Sequence, residues 1–224
     1  APGHPEVGTD VGRLTGAGEC GVKVVDSLRA AAVRGGVLIE FTAPGPSLEH
    51  LRQAASLGLA AVIGTTGFSA AEQREVEDLA RQVACVQAPN MSVGVTALLD
   101  VVAQLARTLG PSFDIEIAET HHRLKKDAPS GTALGLARAA VEARGATLER
   151  WAVYGREGMV GARPGDQIGV LALRGGDVVG DHTVYFYGTG ERVEITHRAQ
   201  SREAFAAGAL RAAAWVAGRP AGLY

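Results

Sequence analysis

The chain has 224 residues, is 46% hydrophobic and 21% charged, and carries a net charge of −2. That length can bury a real core as one large or two small domains, and the charge gives no global basic excess for nucleic acid. Cys20 and Cys85 suit neither a disulfide framework nor a metal site, so a reducing cytoplasmic setting is the simplest reading; no run reads as a membrane span and no signal peptide is visible.

Residues 1–21 are rich in Gly, Pro and polar side chains and read as loop. Val22–Val25 is a short strand candidate, and Ser27 can cap a short helix. Residues 37–41 form a better strand, continuous and apolar as buried parallel strands are. After a turn at Thr42-Ala43-Pro44, a helix is expected from Ser47 to Gly58. Residues 59–63 form the next strand, running into Gly64-Thr65-Thr66-Gly67; Ser69 and Glu72 then make a capping box. Residues 83–86 form another strand, followed by Ala88-Pro89-Asn90-Met91-Ser92. Repeated strand–helix order predicts a parallel, doubly wound sheet, with ligands beyond the carboxyl ends of its strands.

Residues 92–109 show a helical apolar stripe through Val95, Leu98, Leu99, Val102 and Leu105, stopped by Gly110-Pro111. A strand from Phe113 delivers the chain to His121, and a helix is expected over 132–144. Strands are expected over 151–154, 168–174, 178–187 and 192–198, with turns at Gly175-Gly176-Asp177 and Gly188-Thr189-Gly190. This half reads as a mostly antiparallel sheet carrying a helix on one face, the other face being a natural place for a partner subunit. A last, alanine-rich helix starts near Ser201. His182 and His197 lie in strand patterns and read as structural.

The chemistry concentrates in residues 119–134, ETHHRLKKDAPSGTAL. Only Lys23, Lys125 and Lys126 are lysine among the 22 Lys and Arg, so two of three lysines sit here. Pro129 suits a helix start, and Gly131 lets a ligand approach the backbone. The amides of Ser130, Gly131 and Thr132 then form an anion seat beside the basic run. Together they describe a receptor for a small dicarboxylate. A lysine among other cations would be depressed in pKa and suited to act as a general acid.

This run resembles the signature of the dihydrodipicolinate reductase family, whose members are 4-hydroxy-tetrahydrodipicolinate reductases. The resemblance implies a partial Rossmann-type sheet plus an α+β domain for substrate binding and oligomerisation. The expected domains are 1–92 with 203–224, and 93–202. His121 matches the catalytic acid/base position and Lys125 the proton donor. His122, Gly131 and Thr132 match substrate contacts, with Arg123 and Ser130 as neighbours and Arg192 as a further carboxylate contact. Gly64, Thr65, Thr66, Ala88, Pro89, Asn90 and Met91 match the nicotinamide side of a site for NADH or NADPH, with Thr66 where cofactor and substrate would meet. A cytoplasmic homotetramer is implied. The family's opening strand, glycine-rich loop and helix have no counterpart here, so the sequence is expected to be part of a longer protein. Two alternatives are another two-domain nicotinamide enzyme, and a non-catalytic dicarboxylate-binding or assembly remnant without a working cofactor half.

Overall fold

The computed structural model describes residues 3–224. In chain order it begins with two short helices, α1 (Val11–Thr15) and α2 (Leu28–Ala31). There follow β1 (Val37–Glu40), α3 (Pro44–Leu57), β2 (Ala60–Ile63), α4 (Ala70–Ala80), β3 (Ala84–Gln87) and α5 (Val93–Leu109). Next come β4 (Asp114–His121), α6 (Gly131–Glu142), α7 (Leu148–Trp151), β5 (Ala152–Val153) and β6 (Ile168–Arg174). The chain ends with β7 (Gly180–Gly188), β8 (Glu191–Ala199), α8 (Glu203–Val216) and β9 (Gly222–Leu223). Two compact units result: one runs to Ala88 and resumes over Ala209–Tyr224, the other is Pro89–Gly208.

The first unit is a parallel sheet in the order β1-β2-β3-β9. Its strand order is unbroken from β1 to β3, so right-handed crossovers put α3 and α4 on the same face. Leu48 and Leu51 of α3 and Val76 and Ala80 of α4 are buried there with Ala61, Ile63 and Cys85. Burial pushes the Cys85 thiol up to about 12, which makes it a packing residue. Helix α3 starts at Pro44, earlier than expected: proline lacks the N–H that a first helical turn leaves unpaired. Ser47, read as the start, is buried inside the helix. The Ser69–Glu72 capping box is present in both directions. The expected strand at Val22–Val25 is only an isolated bridge between Asp10 and Lys23.

The second unit is a five-stranded sheet in the order β5-β6-β4-β7-β8. It is evenly mixed rather than mostly antiparallel: β5–β6 and β6–β4 pair parallel, β4–β7 and β7–β8 antiparallel. The reason is that α6 lies in the connection between β4 and β6, and a helical crossover returns the chain in a parallel sense. One face buries Ile115, Ile117, Ile168, Val170, Val184 and Phe186 in a cluster with Leu136, Ala137 and Ala140 of α6 and Leu98 and Val102 of α5. By length and composition α5 with the following turn could cross a membrane, contrary to the sequence reading, yet its apolar stripe belongs to this core. On the opposite face Leu171, Leu173 and Tyr187 are exposed, and Tyr187 stacks on Tyr185.

Candidate active site

Along β4 the side chains of Ile115, Ile117, Glu119 and His121 alternate onto the buried face. Register continues that row onto the neighbours. Arg174 of β6 lies beside His121, His182 of β7 beside Glu119, and His197 of β8 beside His182. One face of the sheet therefore changes from apolar at Ile115 to charged at His121. The segment 175–179 is not a hairpin turn as expected, because β4 lies between β6 and β7. It crosses over the end of β4, where the Gly175 amide donates to the His121 carbonyl at 3.0 Å and the Arg123 amide to that of Gly176 at 3.2 Å.

Glu119 is fully buried, and its carboxylate gathers four donors. His121 Nδ1 lies 2.6 Å from Oε2, and Arg174 donates from both terminal nitrogens, at 2.8 Å to Oε2 and 2.9 Å to Oε1. The Ser130 amide donates to Oε1 at 3.0 Å. Burial alone would raise this carboxyl, but the Arg174, His121 and Ser130 hydrogen bonds outweigh it and hold the group below the ordinary carboxylate value. Glu119 engages Nδ1 of His121, which leaves Nε2 as the ring nitrogen turned away from that carboxylate. It faces Gly180, where an added Cβ would lie 3.0 Å away.

His182 meets His121 edge to face, with ring centroids 5.1 Å apart, and its Nε2 lies 3.0 Å from Ser130 Oγ. Burial first, and the nearby His121 second, push His182 down from 6.5 to about 4. The unfolded chain takes up this proton as pH falls below 6.5, whereas the folded one resists until about 4. This contribution to stability is complete above pH 6.5 and declines by roughly 3 kcal/mol as pH falls from there to about 4. Urea unfolding across this window should show His182→Gln losing less stability on acidification than the parent chain.

Helix α6 is capped by Ser130, whose Oγ accepts the Ala133 amide at 3.2 Å. The expected seat is smaller than its sequence reading, because Glu119 takes the Ser130 amide. Among the described residues the Gly131 and Thr132 amides have no protein acceptor, and a Cβ added at Gly131 would meet open space. Thr132 Oγ1 accepts from Asn90 Nδ2 at 2.9 Å, and Asn90 Oδ1 accepts the Ser92 amide at 2.8 Å. Between β4 and α6, Lys125 Nζ reaches Asp127 Oδ1 at 2.8 Å, so this lysine faces a carboxylate as well as cations. His122 is half-buried and Arg123 exposed.

The structure thus gathers His121, Lys125, Ser130, Gly131, Thr132 and Asn90 at one end of the second unit. Arg192 is not among them. It pairs across β7 with Tyr187, which pairs with Asp114 at the far end of β4, roughly 23 Å from His121 at about 3.3 Å per residue. There Arg192 bonds Glu194 at 2.6 Å and is mostly exposed. At the His121 end the register places Arg174 beside His121 and Arg198 beside Asp181, and Arg202 follows three residues past Ala199, the β8 partner of Gly180. Glu119, Arg174 and His182 were absent from the expected site. Their signal is the strand register, which a single strand pattern does not contain.

In the first unit the expected cofactor residues Gly64, Thr65, Thr66 and Ala88 follow the carboxyl ends of β2 and β3. The Gly64 amide donates to the Glu40 carbonyl at 2.8 Å, and Thr65 Oγ1 accepts the Thr42 amide at 3.0 Å. A Cβ at Gly64 would overlap the Phe41 ring, so only glycine lets this aromatic lie over the loop. Thr65 is buried and Thr66 exposed. An aromatic, a bare backbone and a free threonine at the strand ends fit the ring end of a dinucleotide. Pro89, Asn90 and Met91 begin the second unit.

A parallel four-stranded sheet and a second unit with a buried acid–histidine pair beside a helix start make this a two-unit α/β protein. The family model described as dihydrodipicolinate reductase, N-terminus matches residues 1–91, and that described as dihydrodipicolinate reductase, C-terminus matches 94–224. The chain belongs to the dihydrodipicolinate reductase family. A 4-hydroxy-tetrahydrodipicolinate reductase of Rubrobacter xylanophilus is 57% identical over 223 residues, covering 100% of this chain and 83% of the relative. One of Syntrophobacter fumaroxidans is 53% identical over 222 residues, covering 99% and 83%. Among solved structures, dipicolinate-bound dihydrodipicolinate reductase from Paenisporosarcina sp. superposes with a TM-score of 0.72 at 25% identity, covering 99% of this chain and 84% of that one. The relatives carry the name of an oxidoreductase, so the non-catalytic alternative finds no support among them.

Proposed function

We propose that this chain reduces the cyclic imine formed when 4-hydroxy-tetrahydrodipicolinate loses water, yielding tetrahydrodipicolinate for lysine and diaminopimelate biosynthesis. The observation that supports this most is the meeting of two free amides at Gly131 and Thr132 with His121, whose second ring nitrogen is held by buried Glu119. One substrate carboxylate binds the helix start, with the Thr132 hydroxyl oriented by Asn90. His122, Arg123 and Ser130 complete the substrate surroundings, and Arg192, at the far end of the sheet, stands outside them. A reduced nicotinamide, NADH or NADPH, supplies the hydride; Gly64, Thr65, Thr66 and Ala88 at the strand ends of the first unit hold and orient it.

Hydride addition to a ring carbon leaves an electron pair on the substrate, and a proton must follow. Lys125 donates it, and His121 acts as the acid/base through Nε2. The cations around the seat stabilise the electron-rich ring as charge develops. The exposed Leu171, Leu173 and stacked Tyr185–Tyr187 face serves homotetramer assembly, and the enzyme works in the cytoplasm. Steady-state oxidation of NADH and of NADPH with the cyclic substrate tests the reading. Turnover that dipicolinate inhibits competitively is the expected result; no turnover with either nucleotide would refute it.

A further inference from the structure

Arg174 is the last residue of β6 and lies beside His121 in the parallel register. Its guanidinium spans both oxygens of Glu119, at 2.8 and 2.9 Å. The terminal nitrogen that meets Oε1 also donates to the Asp127 carbonyl at 2.7 Å. Asp127 in turn receives Lys125 Nζ on its side chain at 2.8 Å. One planar fork therefore reaches towards His121 through Glu119 and towards Lys125 through Asp127. An ammonium group has no such geometry, since it is a point charge that cannot hold two carboxylate oxygens and a carbonyl together.

We propose that Arg174 is a positioning residue that sets His121 and Lys125 in register for proton transfer. The proposal rests on the acid/base role given above to His121. Arg174 acts on geometry by fixing the Glu119 carboxylate, whose Oε2 then fixes His121 Nδ1 and presents Nε2. It also acts on charge. The charged and titratable groups around His121 are Glu119 on its own strand, Arg174 on β6, His182 on β7, His197 on β8, and Lys125 and Asp127 on the following loop. Removing the guanidinium leaves Glu119 as an uncompensated anion 2.6 Å from the imidazole, which favours the protonated ring.

The test compares Arg174→Met, Arg174→Lys and His121→Ala in the full chain. Arg174→Met is expected to lower kcat roughly 10- to 100-fold, part of the ~10²–10⁴ that acid–base catalysis contributes. KM should change little, and the limb of the pH profile belonging to His121 should move upward. Low-millimolar methylguanidinium should recover part of the kcat of Arg174→Met and none of that of His121→Ala. Should Arg174→Met fail to fold, Arg174→Lys is read in its place, with the same loss in kcat expected despite its retained charge. Wild-type kcat with an unmoved pH limb in the folded Arg174 variant, while His121→Ala is inactive, would overturn the positioning role alone. Full turnover in His121→Ala would overturn the acid/base reading and this proposal with it.

Discussion

Replacing His121 with alanine is expected to lower kcat by roughly 10²–10⁴-fold, the usual contribution of a general acid–base group. The substitution removes the ring that Glu119 orients at 2.6 Å, and with it the Nε2 that faces the Gly180 side. Architecture should survive, because the core formed by Ile115, Ile117, Phe186 and Leu136 does not include the histidine. Loss of kcat with KM little changed would mark an interaction made in the transition state, whereas a rise in KM alone would mark a binding role. Steady-state kinetics beside a thermal melt separate these outcomes. His121→Ala at wild-type kcat would remove His121 from the chemistry.

The second large effect is on stability. Glu119→Ala is expected to cost about 3–5 kcal/mol, because it leaves Arg174 and the Ser130 amide facing an emptied, buried position. Since the folded carboxyl lies below its ordinary 4.5, its contribution is complete above about pH 4.5 and declines as pH falls through the folded value. Urea unfolding at neutral pH measures the loss. A second variant separates folding from function. In Glu119→Leu/Arg174→Met the ion pair is replaced by apolar groups of similar volume, and such exchanges are often neutral or stabilising. That double variant should regain most of the stability of the parent chain and none of its turnover. If the double variant is as unstable as Glu119→Ala, the ion pair is not the source of the effect.

The candidate site was legible where its residues are contiguous. His121, Lys125, Ser130, Gly131 and Thr132 fall within one run, and their chemistry needed only the expectation of a strand before and a helix after. Residues contributed by register were not legible. Arg174 ends a strand and precedes Gly175-Gly176, which reads locally as a hairpin turn, and nothing in that segment says that β4 passes beneath it. His182 read as structural because it sits in a strand, yet that strand sets it against Glu119. Arg192 failed in the opposite way: a glycine turn marks either end of a sheet, and only the direction of β8 reveals which end it is. In the first unit the alternation of strands and helices gave the parallel sheet, whereas Val22–Val25 has strand-like side chains but only a single bridge.

The most direct test of the dicarboxylate seat is calorimetric titration of dipicolinate into the parent chain and into Lys125→Ala, Thr132→Val and Arg192→Ala. Saturable binding is expected in the parent chain, weaker by roughly tenfold or more where a charged or hydrogen-bonding partner at the seat is lost, and unchanged in Arg192→Ala. Equal affinity in the parent chain, Lys125→Ala and Thr132→Val, or a loss confined to Arg192→Ala, would contradict the placement of the substrate at the start of α6.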